Sequence, residues 1–147
     1  MDTARILMWL QLLFRIVLAA VLAFAGILKL IDNTALFETV AYITWLPVWV
    51  KSLIIDFLPW TEIALAVLLL LKWQFKYVLP FVTLIFLGFF GFAIYGFATG
   101  MEGDCGCFGD LADSSFGWGM IFRNAAFAAM AGFLFYNTDK SKNLSEQ

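Results

Sequence analysis

Two cysteines with one glycine between them are the only thiols in this 147-residue chain. Cys105, Gly106 and Cys107 lie in the polar stretch Asp104-Cys105-Gly106-Cys107-Phe108-Gly109-Asp110, which separates two long apolar segments. Three chemistries fit such a pair. A disulfide closed across one residue makes a small strained ring, and Gly106 helps it close because a glycine reaches backbone angles barred to other residues. A strained, exposed disulfide is easily reduced, which suits exchange better than stapling. It would add little stability, because it closes almost no loop. Alternatively, the two sulfurs together with Met101 or Met120 suit Cu(I), a soft ion. Zinc would lack ligands, since the chain has no histidine. The third reading is two unreacted thiols.

Local charge leaves the favoured thiol state open. Asp104 and Asp110 disfavour a thiolate by like-charge repulsion. The amino end of the following helix, with Lys29 or Arg123 nearby, favours it.

The rest of the chain sets where this chemistry takes place. With 63% hydrophobic residues and a mean hydropathy of +0.91, lipid must be the solvent for much of the surface. The net charge of −2 and the lack of any basic stripe give no support for nucleic-acid binding. The absence of histidine removes the commonest general base.

Segments long enough to cross a bilayer, about 20 residues each, fall at about 6–31, 52–71, 77–98 and 117–136. The first carries Gln11, Arg15 and Lys29. A cleavable signal is the competing reading, with Ala23-Phe24-Ala25 as the site. Arg15 inside the apolar run and the continuation to Ile31 argue against it. Between the first two spans, Leu36, Phe37, Val40, Ile43 and Trp45 predict a short amphipathic helix at the membrane surface. Pro59 predicts a kink in the second span. Lys72 to Lys76 is a tight turn. Gly88, Gly91, Gly96 and Gly100 predict a close-packing face on the third span, and Ala125/Ala129 with Ala128/Gly132 predict one on the fourth. Ser114 or Ser115 would cap the fourth span, and a polar tail follows from Asn137.

Arg5, Lys72, Lys76, Lys140 and Lys142 fall on one side of these spans. The other side holds only Lys29 and Lys51, at helix ends, and the cysteine stretch there carries Glu102, Asp104, Asp110 and Asp113. The excess of Lys and Arg marks the cytoplasmic side, so both termini are expected inside and the cysteines outside. Trp9 and Trp73 then form an inner belt, and Trp45, Trp49 and Trp118 an outer one. Outside the cytoplasm disulfides form and persist.

The expected fold is therefore an all-α integral membrane protein. It is an antiparallel bundle of four transmembrane helices, N-in and C-in, with residues 1–147 as one transmembrane domain.

Arg15, Asp56, Glu62 and Arg123 lie within spans, where an unpaired charge costs about 2.5–3.5 kcal/mol on insertion scales. Counting depth from the outer ends pairs Arg123 with Asp56 and, deeper, Arg15 with Glu62. The same count allows Glu62 a proton-relay role. A single thiol pair cannot pass electrons across a membrane alone. It must exchange with a partner on one face, or hand electrons to a membrane quinone, for which a bundle with 17 phenylalanines leaves room.

Three motifs carry a resemblance: Ala25-Gly26-Ile27-Leu28-Lys29-Leu30, Leu58-Pro59-Trp60-Thr61-Glu62, and Asp104-Cys105-Gly106-Cys107-Phe108-Gly109. With them, most of the chain resembles the MauE/DoxX-like membrane proteins. The resemblance implies a four-helix inner-membrane protein associated with thiol redox. In methylamine-utilisation systems it implies maturation or export of the disulfide-rich small subunit of methylamine dehydrogenase. Other relatives stand beside thioredoxin-like proteins. Carried over, Cys105 and Cys107 become the redox pair, and Lys29 and Glu62 fall on motif positions. The layout also looks like the quinone-linked disulfide-forming enzymes, which use two cysteine pairs where this chain has one. A non-catalytic scaffold for a thioredoxin-like partner, and a Cu(I) carrier, are the alternatives.

Overall fold

The structure is a computed structural model that describes residues 3–101 and 117–143. Its elements are α1 (Thr3–Ile31), α2 (Thr34–Tyr42), α3 (Val48–Leu71), α4 (Phe75–Thr99) and α5 (Trp118–Asn143). All the described secondary structure is helical. Four helices are long and apolar enough to cross a membrane: α1, α3, α4 and the 118–138 portion of α5. The expected short helix after the first span is α2.

Each boundary has a local cause. Asp32 Oδ1 accepts a hydrogen bond from the Thr34 N–H at 2.9 Å, satisfying one of the donors that a helix start leaves orphaned. Pro47 holds an extended conformation and lets α3 begin at Val48, four residues before the expected start. The Lys51 ammonium reaches back to the Ala41 carbonyl at 3.3 Å, tying α3 to the end of α2. The turn between α3 and α4 places Lys72 and Gln74 at φ 53° and 49°. Gly100 ends α4 at φ 65°, donating to the carbonyl oxygens of Gly96 and Phe97, an αL cap of the kind glycine favours. Both prolines within spans, Pro59 and Pro80, are accommodated inside continuous helices.

The polar tail expected from Asn137 is helical as far as Asn143. Asn137 Nδ2 and Thr138 Oγ1 donate to the carbonyl oxygens of Phe133 and Leu134, each at 2.8 Å. These polar side chains are therefore satisfied on the helix itself.

The helices pair as α1 with α3 and α4 with α5, and the two pairs meet through α1–α5 and α3–α4 contacts. The core is formed by Leu18, Leu22, Leu69, Leu79, Val82, Phe86, Ala131 and Leu134. Phe14–Phe133 and Phe86–Phe127 ring contacts at 5.5 and 5.6 Å lock α5 to α1 and to α4. Outward-facing residues include Phe57, Phe81, Leu84, Phe122 and all six tryptophans, an apolar exterior suited to lipid.

The small residues are used differently from expectation. Gly96 is buried, but a Cβ added at Gly88, Gly91, Gly100 or Gly132 would meet nothing within 4 Å among the described residues. Gly88 and Gly91 are therefore not packed against a neighbouring helix among the described residues. The glycine that does permit close approach is Gly26 on α1. A Cβ there would stand 2.7 Å from Ile63 Cγ1 and 2.8 Å from the Pro59 carbonyl oxygen.

Candidate functional site

Gly26 determines the site. Without a side chain at this position α1 lies directly against the Pro59–Ile63 turn of α3, and Glu62 comes level with Gly26. Lys29 is one turn further along α1. Side chains on a helix lean toward its amino end, so the Lys29 stem folds back to the depth of Glu62.

Lys29 Nζ donates to both carboxylate oxygens of Glu62, at 2.6 and 2.9 Å. The side chains are 2% and 0% exposed. Burying two charges is tolerable only with this kind of direct, hydrogen-bonded pairing. Lys29 Nζ also sits 5.3 Å from the centroid of the Phe89 ring, within cation–π range.

This pairing corrects one expectation. Glu62 binds Lys29 and not Arg15. Depth counted from helix ends fails because the Gly26 contact fixes the register. Arg15 lies eleven residues before Gly26, or about 16 Å along the helix, and is half-buried on α1. The second expected pair is also absent: among the described residues no ion pair joins Asp56 to Arg123. Asp56 is exposed on α3 and Arg123 is half-buried on α5. The two helices are held apart because α1 and α4 supply their main contacts.

An apolar cavity of about 310 Å³ adjoins the ion pair. Its walls come from α1, α2, α3 and α4, and among the described residues Lys29 and Thr39 are the polar ones lining it. Ile54 and Leu58 form one side, with Gly88, Phe89 and Phe92 facing them. The sequence held a partial signal for this site. Leu36 and Val40 were readable as the apolar face of α2, and Lys29 and Glu62 as motif positions. Nothing in the spacing distinguished Gly88 as a wall of open space from Gly88 as a packing surface.

Asn124 was not anticipated. It is 1% exposed on α5, and neither its amide oxygen nor its nitrogen has a hydrogen-bond partner among the described residues.

Asp104, Cys105, Gly106, Cys107 and Asp110 lie outside the described residues, as do Ser114 and Ser115. The chain leaves α4 at Thr99 and re-enters a helix at Trp118. Those two helix ends are held together by a Phe97–Trp118 ring contact with centroids 5.1 Å apart.

Four long apolar helices around an internal ion pair define a multi-pass helical membrane protein. The model of the MauE family, methylamine utilisation protein MauE, matches residues 7–137. The chain belongs to that family, which implies a membrane protein of methylamine utilisation. Comparison with curated proteins and with solved structures gives no match.

Proposed function

We propose that the chain works as a single transmembrane unit whose Cys105–Cys107 pair exchanges disulfides on the outer, periplasmic face of the inner membrane. The client is a disulfide-rich periplasmic protein, or a thioredoxin-like protein that serves one. In methylamine utilisation the client is the small subunit of methylamine dehydrogenase. A client thiolate attacks the Cys105–Cys107 disulfide and forms a mixed disulfide. A second client thiolate then resolves it. The client gains one S–S bond, and two electrons and two protons pass to the cysteine pair.

The observation that carries this reading is the position of the only thiol pair, in the 102–116 connection between α4 and α5. Two further facts support it. The excess of Lys and Arg at Arg5, Lys72 and Lys76 favours a cytoplasmic position for the opposite end. Membership of the methylamine-utilisation family fits a client among the proteins of that pathway.

The test is the redox state of the client in cells that carry Cys105→Ser with Cys107→Ser. Reduced or missing client disulfides support the reading. Full client oxidation in the double variant, at unchanged membrane level, would favour a scaffold instead. Copper that co-purifies only when both cysteines are present would favour a Cu(I) carrier.

A further inference from the structure

We infer that Arg15, Lys72 and Lys76 form a binding site for the phosphate of an anionic phospholipid, at the end of the bundle that carries the α3–α4 turn.

The register set by Gly26 relocates Arg15. Counted from the ends of its apolar span, Arg5–Ile31, Arg15 falls near the middle of the bilayer. The close approach of Gly26 to Pro59 and Ile63 gives a different level. Arg15 lies eleven residues before Gly26, and Lys72 lies ten after Glu62 on the antiparallel α3. Both are thus about 15–16 Å from that contact, in the same direction. Arg15 is level with the turn and not with the middle of α3. The turn carries Lys72, Trp73, Gln74 and Lys76, residue types that sit at the headgroup layer.

Arg15 also faces the inside of the bundle. It continues the stripe of α1 that buries Leu18, Ala19 and Leu22 in the core, at the three-, four- and seven-residue spacing of one helix face. At this end the core closes with Leu69, Val78 and Leu79, against which Phe14 and Phe75 pack. Beyond it α3 and α4 have turned back, while α1 runs on through residues 3–14. Helix α5, joined to α1 by the Phe14–Phe133 ring contact, runs on to Asn143. Two helices therefore wall a notch that the lysine-bearing turn roofs.

The notch holds positive charge without a described counter-charge. Arg15 Nε is buried with no hydrogen-bond partner. The ion pair among the described residues is Lys29–Glu62, and no described carboxylate pairs with Arg15, Lys72 or Lys76. Asp32, Glu38, Asp56 and Glu62 all stand at or beyond the level of Glu62, ten residues from the turn. In sequence the same end adds Arg5, Lys140 and Lys142 against Asp139.

This chemistry selects the occupant. A guanidinium presents a fork of donors that matches phosphate oxygens, and phospholipid phosphates fill the layer in which the turn sits. Two lysines beside one arginine favour a headgroup of net negative charge over one whose phosphate is offset by its own ammonium. Basic pockets between transmembrane helices take anionic headgroups on the same grounds.

The experiment uses the full chain in detergent, supplied with equal amounts of phosphatidylglycerol and phosphatidylcholine and read by native mass spectrometry. The expected result is one retained phosphatidylglycerol per chain, preferred at least fivefold over phosphatidylcholine. Arg15→Gln should abolish the preference, and so should Lys72→Gln combined with Lys76→Gln. Arg5→Gln, which removes a like charge ten residues further along α1, should leave it intact. Circular dichroism and melting temperature identify any variant that fails to fold, and the double variant at the two exposed lysines then decides. No preference in the wild type, or a preference that survives in both folded variants, would overturn the inference. A loss in Arg5→Gln equal to that in Arg15→Gln would also overturn it, because net charge and not the notch would then select the lipid. Inorganic phosphate that displaces the lipid at equal concentration would overturn the lipid as occupant and give the site to a soluble anion.

Discussion

Lys29 Nζ lies 2.6 and 2.9 Å from the two carboxylate oxygens of Glu62, and the pair joins the carboxyl end of α1 to the middle of α3. Breaking a buried pair by removing one partner typically costs about 3–5 kcal/mol, whereas replacing both with apolar residues is often nearly neutral. Lys29→Met or Glu62→Leu alone should therefore sharply lower the melting temperature in detergent, and the double variant should recover most of the loss. A double variant no more stable than the worse single would contradict a pairing role.

Gly26 permits that pairing by letting α1 close on Pro59 and Ile63. Gly26→Ala forces a contact below 3 Å with backbone as well as side chain, and overpacking of this kind costs about 1–3 kcal/mol. Gly88→Ala and Gly132→Ala, where a Cβ meets nothing, should change stability little. Thermal melts of the three alanine variants side by side check the contrast.

Asn124 buries an amide with no partner among the described residues. An unsatisfied buried polar group costs about 1–3 kcal/mol. Asn124→Leu, which keeps four side-chain heavy atoms and removes the polar ones, should raise the melting temperature. A fall would mean that the amide holds a partner in the native membrane.

Asp32 lies just beyond the first span and is fully exposed. Hydrogen bonds from the Thr34 side chain and N–H hold its carboxyl below the usual carboxylate range. A depressed folded-state pKa stabilises above the unfolded value and loses that contribution as pH falls through the folded one. The start of α2 should therefore fray only in acid below the ordinary aspartate range. Asp32→Ala should fray it at neutral pH. Amide exchange at Leu36 and Phe37 reads both.

The four spans were legible because lipid demands about 20 apolar residues per crossing, a signal that needs no tertiary information. The chemistry of the site was legible as residue types: Lys29 and Glu62 were marked from motif positions, and Cys105 and Cys107 from being alone. The partner of Glu62 was not legible. It depends on where α1 touches α3, which is set by one missing Cβ at Gly26 and by the backward lean of the Lys29 stem. Counting residues from helix ends assumes helices whose ends align, and it selected Arg15 instead. The glycines of α4 misled for a related reason. Small residues at helical spacing mark either a packed face or an open one, and only the neighbours of Gly88 and Gly91 tell which.

The most direct test of the central claim is a trap of the exchange intermediate in intact cells. With Cys107→Ser in place, the Cys105 thiolate can attack a disulfide of the oxidised client, releasing one client thiolate and leaving a mixed disulfide that Cys107 is no longer there to attack. The account predicts an intermolecular adduct with a periplasmic client or thioredoxin-like protein, lost on reduction and absent from the Cys105→Ser, Cys107→Ser double variant. No adduct with Cys107→Ser or with the reciprocal Cys105→Ser, in cells where the double variant also leaves client disulfides intact, would contradict it.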